Sequence, residues 1–357
     1  MGFFEEDRWT RIRQRYEAWW EGELLGLPLV QVTAPKELQE AHLPPSGEQE
    51  LFNWFTDPEL VLPRLERSVN ATYYAGDAFP WVDPVSHRLV AIEAAYLGAP
   101  YRISTDTLTG WVDPLIEDWA GRPKLAAESG NRWWKATQRL LEEGARRSQG
   151  RYILAIPDLQ GGGEILALLR GSQELALDLI DHSAEIRPAI EEINLAWRYY
   201  FDSCYEIIHR WQPGYVDWLG VWSESPAVTV ECDFAGMVSP RMFQSFFLPA
   251  IEQQTSWIGR TIFHLDGPQA IPHLDALLAL PGLKGIQWVP TPDRPCPMDW
   301  IALLRRIQAG GKRVVTACDP DEVLPLLEAL QPEGILLTTT CRTPAEADEL
   351  VEALQRR

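Results

Sequence analysis

Short apolar runs recur through the second half of the chain, each closing on polar residues and each followed by a stretch with helical spacing of leucines. Residues 151–158 (RYILAIPD), 214–220, 227–234, 261–266, 284–290, 312–319 and 334–341 read as strands. Residues 27–35 and 75–84 add two more, after helices predicted over 5–21 and 57–71. Ser239-Pro240 and Thr343-Pro344 each place an N-cap residue before a proline at the first helical position, so helices begin there. Strands that alternate with helices imply a parallel sheet, and closing such units in order predicts an α/β fold, a (β/α)8 TIM barrel. The strand count slightly exceeds eight. The stretch 88–119, rich in β-branched and turn residues, is therefore read as an inserted β-hairpin element, and 227–233 as an extension of the preceding unit. With residues 1–26 as an N-terminal decoration of helices, the whole of 1–357 is expected to form one domain.

Active sites of parallel barrels lie at the strand C-terminal ends, which makes the residues there the short list. They are Asp83, Asp158 with Gln160, Asp217 with Trp218, Glu231 with Cys232 and Asp233, His264 with Asp266, Gln287 with Trp288, Cys318 with Asp319, and Cys341. His264 and Asp266 stand two apart, so on a strand they project to the same side. Thiols and an imidazole on separate strands favour zinc over magnesium or calcium, which prefer oxygen. Asp158, Asp233 and Asp266 are the expected catalytic carboxylates. Glycines 161–163 follow "PDLQ" without a nearby lysine and read as a tight turn rather than a phosphate cradle.

Composition narrows the partners. A formal charge of −19 over 357 residues repels phosphate backbones and anionic bilayers, so neither nucleic acid nor membrane is expected. The longest apolar runs fall far short of the roughly 20 residues of a membrane span. The charged, aromatic start lacks the pattern of a secretory signal, and the chain reads as cytoplasmic, a monomer or homodimer acting on a small molecule. Five cysteines without compact spacing argue against a disulfide framework. Of the 16 tryptophans, Trp81, Trp218, Trp222 and Trp288 fall at strand ends. With Gln160 and Gln287 they are expected to wall a pocket suited to a flat or methylated, cationic guest.

The segments "ECDFAGMVSPRMFQSFFLPAIEQQ", "FHLDGPQAIPHLDALLALPGLKGIQWVP" and "TTTCRTPAEADELVEALQ" resemble the uroporphyrinogen decarboxylase superfamily, and within it the corrinoid-dependent methyltransferase branch. The likeness covers residues 150–357 well and the first third loosely. It implies a zinc-dependent methyltransferase that moves a methyl group between a corrinoid (cobalamin) or small methylated donor and a thiol, with a corrinoid protein as partner. In that branch zinc is held by a His-X-Cys pair and a later cysteine before a "TP-x-E" helix, which maps onto His264 and Cys341. Asp266 stands where the branch has its first cysteine; either the metal accepts its carboxylate oxygen as a ligand, or another thiol replaces it, with Cys232 the candidate. The decarboxylase alternative is weakened because "KELQEAHLPP" follows the first strand where decarboxylases carry an arginine clamp. A third alternative is a small-molecule or carbohydrate binder, or a hydrolase, with a cleft of tryptophans and carboxylates.

Overall fold

The computed structural model describes residues 6–24, 28–37, 44–86, 89–104 and 107–356. Glu5, Leu27 and Arg88, the first residues of three expected elements, lie outside the described residues. The fold is mixed α/β around a central, mostly parallel sheet. Its hydrogen-bonded order is Thr72–Gly76, Leu29–Pro35, Ile335–Thr340, Arg313–Ala317, Leu283–Val289, Arg260–Asp266 and Ala227–Glu231. All neighbours are parallel except Thr72–Gly76, which runs antiparallel to Leu29–Pro35. A shorter parallel row joins Trp81–Val82 to Ile153–Leu154 and reaches Val216 through a bridge from Ala155. Among the described residues no continuous backbone ladder closes the two rows into a ring. Side chains span the gaps instead. Thr229 Oγ1 donates to Asp217 Oδ2 at 2.6 Å, and Gln31 Nε2 donates to the Gly220 carbonyl at 2.8 Å.

Three expected elements are corrected. The strand expected over 75–84 divides into Thr72–Gly76 and Trp81–Val82. Gly76 turns the chain at φ +56°, and the Asp77 carboxylate takes the Val30 N–H at 2.9 Å in place of a ladder partner. Residues 227–231 are a full sheet member beside Arg260–Asp266 and not an extension of the preceding unit. In the row containing residues 151–158, Ile153–Leu154 pairs with Trp81–Val82, Ala155 bridges to Val216, and the pairing ends before Pro157, which has no N–H to give. The expected hairpin is present as Tyr101–Ile103 against Gly110–Val112, accompanied by a helix, Ile92–Tyr96. Both sequence-predicted caps form: Ser239 Oγ accepts from Met242 N and Thr343 Oγ1 from Glu346 N.

Alternation along the strands sorts the apolar side chains into two clusters. Leu29, Ile153, Val216, Ala227, Ile262, Val315 and Leu336 meet on one face, where Trp9, Ile12, Tyr16, Trp19 and Trp20 of the helix Glu6–Glu21 join them. Their neighbours Val30, Leu154, Val228, Phe263, Val314 and Leu337 face the other way, into the cluster shared with most of the remaining helices. The helix Glu6–Glu21 thus plugs the inner face by its aromatic stripe, whose three-and-four spacing is that of an amphipathic helix. Arg313 caps its last turn by donating to the Trp19 and Trp20 carbonyls. Arg15 fastens its middle: Nε lies 2.6 Å from Asp77 Oδ1, and a terminal nitrogen donates to the Pro28 carbonyl at 2.6 Å.

Arg15→Ala should therefore cost ~2–4 kcal/mol, because it strands the largely buried Asp77 carboxylate. Urea denaturation measures this, and a loss below ~0.5 kcal/mol would show that the plug is held without the pair.

Candidate functional site

His264 and Asp266 sit on the inward parity of their strand, which Ile262 anchors in the inner cluster. His264 is the direct register partner of Gln287 on the adjacent strand, and its Nδ1 lies 2.5 Å from Gln287 Oε1. A carboxamide oxygen only accepts, so Nδ1 carries a proton, and in the neutral ring Nε2 is the nitrogen that offers a lone pair. Asp233 Oδ1 stands 4.0 Å from that Nε2. Asp233, His264 and Asp266 each offer one ligand atom, all within 4.8 Å of one another. Asp233 opens the short helix Asp233–Met237, which is pinned where the Phe234 N–H donates to Glu164 Oε2 at 3.0 Å. Trp218 lies edge-on to the His264 ring, with centroids 5.3 Å apart.

Around this group the carboxylates accumulate. Burial pushes Asp83 up to about 6, Glu164 to about 7 and Glu93 to about 8, against backbone N–H donors that pull each of them down. Asp158 and Glu231 are driven well above the carboxylate range, first by burial and then by the charges around them. Asp233 is also raised by burial. His264 opposes the shift and Asp266 adds to it, and the side chain still shows 42 % of its area to solvent, so its desolvation is partial. Glu93 is fully buried; one of its oxygens takes the Gly161 N–H at 3.0 Å while the other has no hydrogen-bond partner. Asp158 Oδ1 and Gln160 Oε1 are buried without partners as well. Asp83, Asp158, Trp81 and Trp218 form part of the wall of a cavity of about 1050 Å³.

Other expected site residues lie elsewhere. The set His264, Cys341 and Cys232 is not the one the structure gathers. Cys341 and Cys232 fall on the outward parity of their strands and are buried in the outer cluster, at 2 % and 3 % exposure. Burial raises both thiols, which keeps them protonated and disfavours them as ligands. Cys232 packs so closely that a methyl group at Gly163 would stand 2.8 Å from its sulfur. Trp288 is corrected on the same ground: Gln287 faces inward, so the next side chain faces outward, and it packs against Trp300. Trp222 is corrected because the chain reverses after Val216 and pairs Trp222–Ser223 antiparallel with Tyr215–Val216. Its ring ends beside Trp9 in the plugged end, at 5.8 Å. Gln160 reaches Glu231 and not the cavity wall. Glu93, Glu164, Arg64 and Trp54 were missed. Glu93 lies in the insertion, where no periodicity points inward, and Arg64 and Trp54 belong to the helical region before the second strand.

No protein-family profile matches the chain, and no curated protein sequence matches it significantly. Among solved structures, a methyltransferase from Methanosarcina mazei shares the fold over 97% of this chain and 98% of its own, with a TM-score of 0.61 at 15% identity. The apo form of the homocysteine methyltransferase MmuM from Escherichia coli aligns over 62% of this chain and 85% of its own at 17% identity, with a TM-score of 0.24, too low to bear on the fold.

The raised Glu93 gives a signed pH effect. Its pKa of about 8 in the fold lies above the ordinary 4.5, so the folded state holds the extra proton between those values. Its contribution to stability is complete below the ordinary value and is lost as pH rises through about 8. Glu93→Gln should match the parent protein near pH 5 and exceed it by on the order of 3 kcal/mol near pH 9. Chemical denaturation at the two pH values checks this, and equal differences at both would show that Glu93 ionises freely.

Proposed function

We propose that the protein is a methyltransferase for small molecules, built on a (β/α)8-type barrel that occupies the chain as one domain, with its reacting centre at Asp233, His264 and Asp266. The gathering of these three side chains at the strand C-terminal ends, with Nε2 of His264 left free by Gln287, is the observation that carries the reading. The full-length likeness of fold to a methyltransferase supports it.

One nitrogen and two carboxylate oxygens form a donor set that zinc accepts, although it is harder than the thiolate set implied by the resemblance. His264, Asp266 and Asp233 would hold the ion. Bound there, zinc supplies a position at which an acceptor thiol loses its proton near neutral pH. Gln287 fixes the imidazole tautomer and plane, as the partner of a ligating histidine does. Glu164 fixes the turn that carries Asp233, and burial together with the Asp233 charge holds it above the ordinary carboxylate range. A cavity of about 1050 Å³ suits a small molecule. A corrinoid, the carrier implied by the resemblance, would exceed it and would have to present its methyl group across the rim. The acidic wall opposes a polycarboxylate substrate, which weighs against the decarboxylase alternative.

Elemental analysis and zinc competition titration test the proposal. One ion per chain is expected, with affinity at least ~10-fold weaker in His264→Ala and Asp266→Ala and unchanged in Cys341→Ala. Methyl transfer from methylcobalamin to 2-mercaptoethanol should fall ~100-fold or more in His264→Ala. A metal-free protein at full activity, or loss of the ion on removing Cys341, would overturn the assignment.

A further inference from the structure

The cavity beside the centre carries charged groups of both signs on its wall, Glu37, Asp83 and Asp158 together with Arg64 and Arg67. On one part stand Asp83 and Asp158, with Glu93 behind them; Asp158 Oδ1 is buried and has no hydrogen-bond partner. No arginine or lysine pairs with these carboxylates among the described residues. On another part stands Arg64, from the helix Pro58–Ala71. Its guanidinium lies 3.9 Å from the centre of the Trp54 ring and donates to the Trp54 carbonyl, yet no carboxylate pairs with it among the described residues. Burial and the neighbouring Arg67 lower its pKa to about 10, the mark of a cation short of negative charge. After burial, the charges of Asp83, Glu93, Asp233 and Glu164 act on Asp158, and that of Arg67 acts on Arg64. Trp81 and Trp218 line the same space, and Trp218 leads to His264.

We propose that this cavity binds a zwitterion: a methylated ammonium or sulfonium held by Asp158 between Trp81 and Trp218, and a carboxylate held by Arg64. Each part of the wall supplies what the molecule needs. Burial and its acidic neighbours favour the neutral acid at Asp158, and a cation that brings no competing anion to the same spot favours the carboxylate in its place. A methylated cation adds attraction to indole faces, worth about 0.5–2 kcal/mol per contact. A guanidinium held over the Trp54 ring offers its remaining N–H groups to a carboxylate. The methyl groups then lie at the part of the cavity nearest His264. The inference deepens the methyl-transfer reading by naming the substrate class, and it rests on that reading only for which group reacts.

Equilibrium binding on the full-length protein tests it without turnover, using trimethylglycine, tetramethylammonium and acetate as probes in calorimetry. Trimethylglycine should bind at least 10-fold more tightly than either fragment. Asp158→Asn should weaken trimethylglycine and tetramethylammonium alike, by 10-fold or more. Arg64→Ala should weaken trimethylglycine 10-fold and leave tetramethylammonium unchanged. Arg64→Lys, which keeps the charge, should restore part of the loss and serves if the alanine variant does not fold. Equal binding of trimethylglycine and tetramethylammonium, indifference to both Arg64 variants, or displacement of all three probes by calcium alone would overturn the proposal. The metal titration and the methyl-transfer assay stay independent of each of these outcomes.

Discussion

Neighbouring side chains on a β-strand point to opposite faces, and in this molecule that two-residue alternation decides which side chains meet at the strand ends. Ile262, His264 and Asp266 share one parity, so a side chain in the inner apolar cluster fixes two polar ones at the rim. The register that pairs His264 with Gln287 then sets the imidazole tautomer. A slip of one residue would exchange His264 for Leu265 and Gln287 for Trp288, and the centre would be an apolar surface. The thiols obey the same rule with the opposite result. Cys341 follows Thr340 onto the outward face, where it is one more small apolar group under the helices.

The second organising constraint is electrostatic. Asp83, Glu93, Asp158, Glu164, Glu231 and Asp233 crowd the strand ends, and burial raises every one of them. Such a cluster survives in the fold because much of it is protonated and because backbone N–H groups of Gly161, Val85, Ser86 and Phe234 hold particular oxygens. The fold tolerates this mouth at a cost in stability that grows with pH. Binding of a positive ion or headgroup would relieve the cost, which couples the occupancy of the site to the stability of its walls.

Much of the architecture was legible in the residues, because strand and helix periods and the Ser239 and Thr343 caps are local signals. The inward pair His264 and Asp266 was legible for the same reason. What was not legible depends on pieces brought together from afar. The break at Gly76 follows from Asp77 being captured by Arg15, 62 residues away along the chain. The reversal that sends Trp222 to the plugged end depends on the turn after Val216, which an apolar run conceals. Assigning both Gln287 and Trp288 to one pocket was a failure of another kind, since alternation forbids it for adjacent strand residues. Glu93 enters the acidic cluster from the insertion, where no period marks the inward side.

The helix Glu6–Glu21 has a kinetic consequence as well as a structural one. By stoppering the strand N-terminal end with Trp9, Tyr16, Trp19 and Trp20, it leaves the interior a blind well. In the methyl transfer proposed above, both reactants would therefore share the opposite mouth, and a bulky second reactant there would require the small molecule to bind first and leave last.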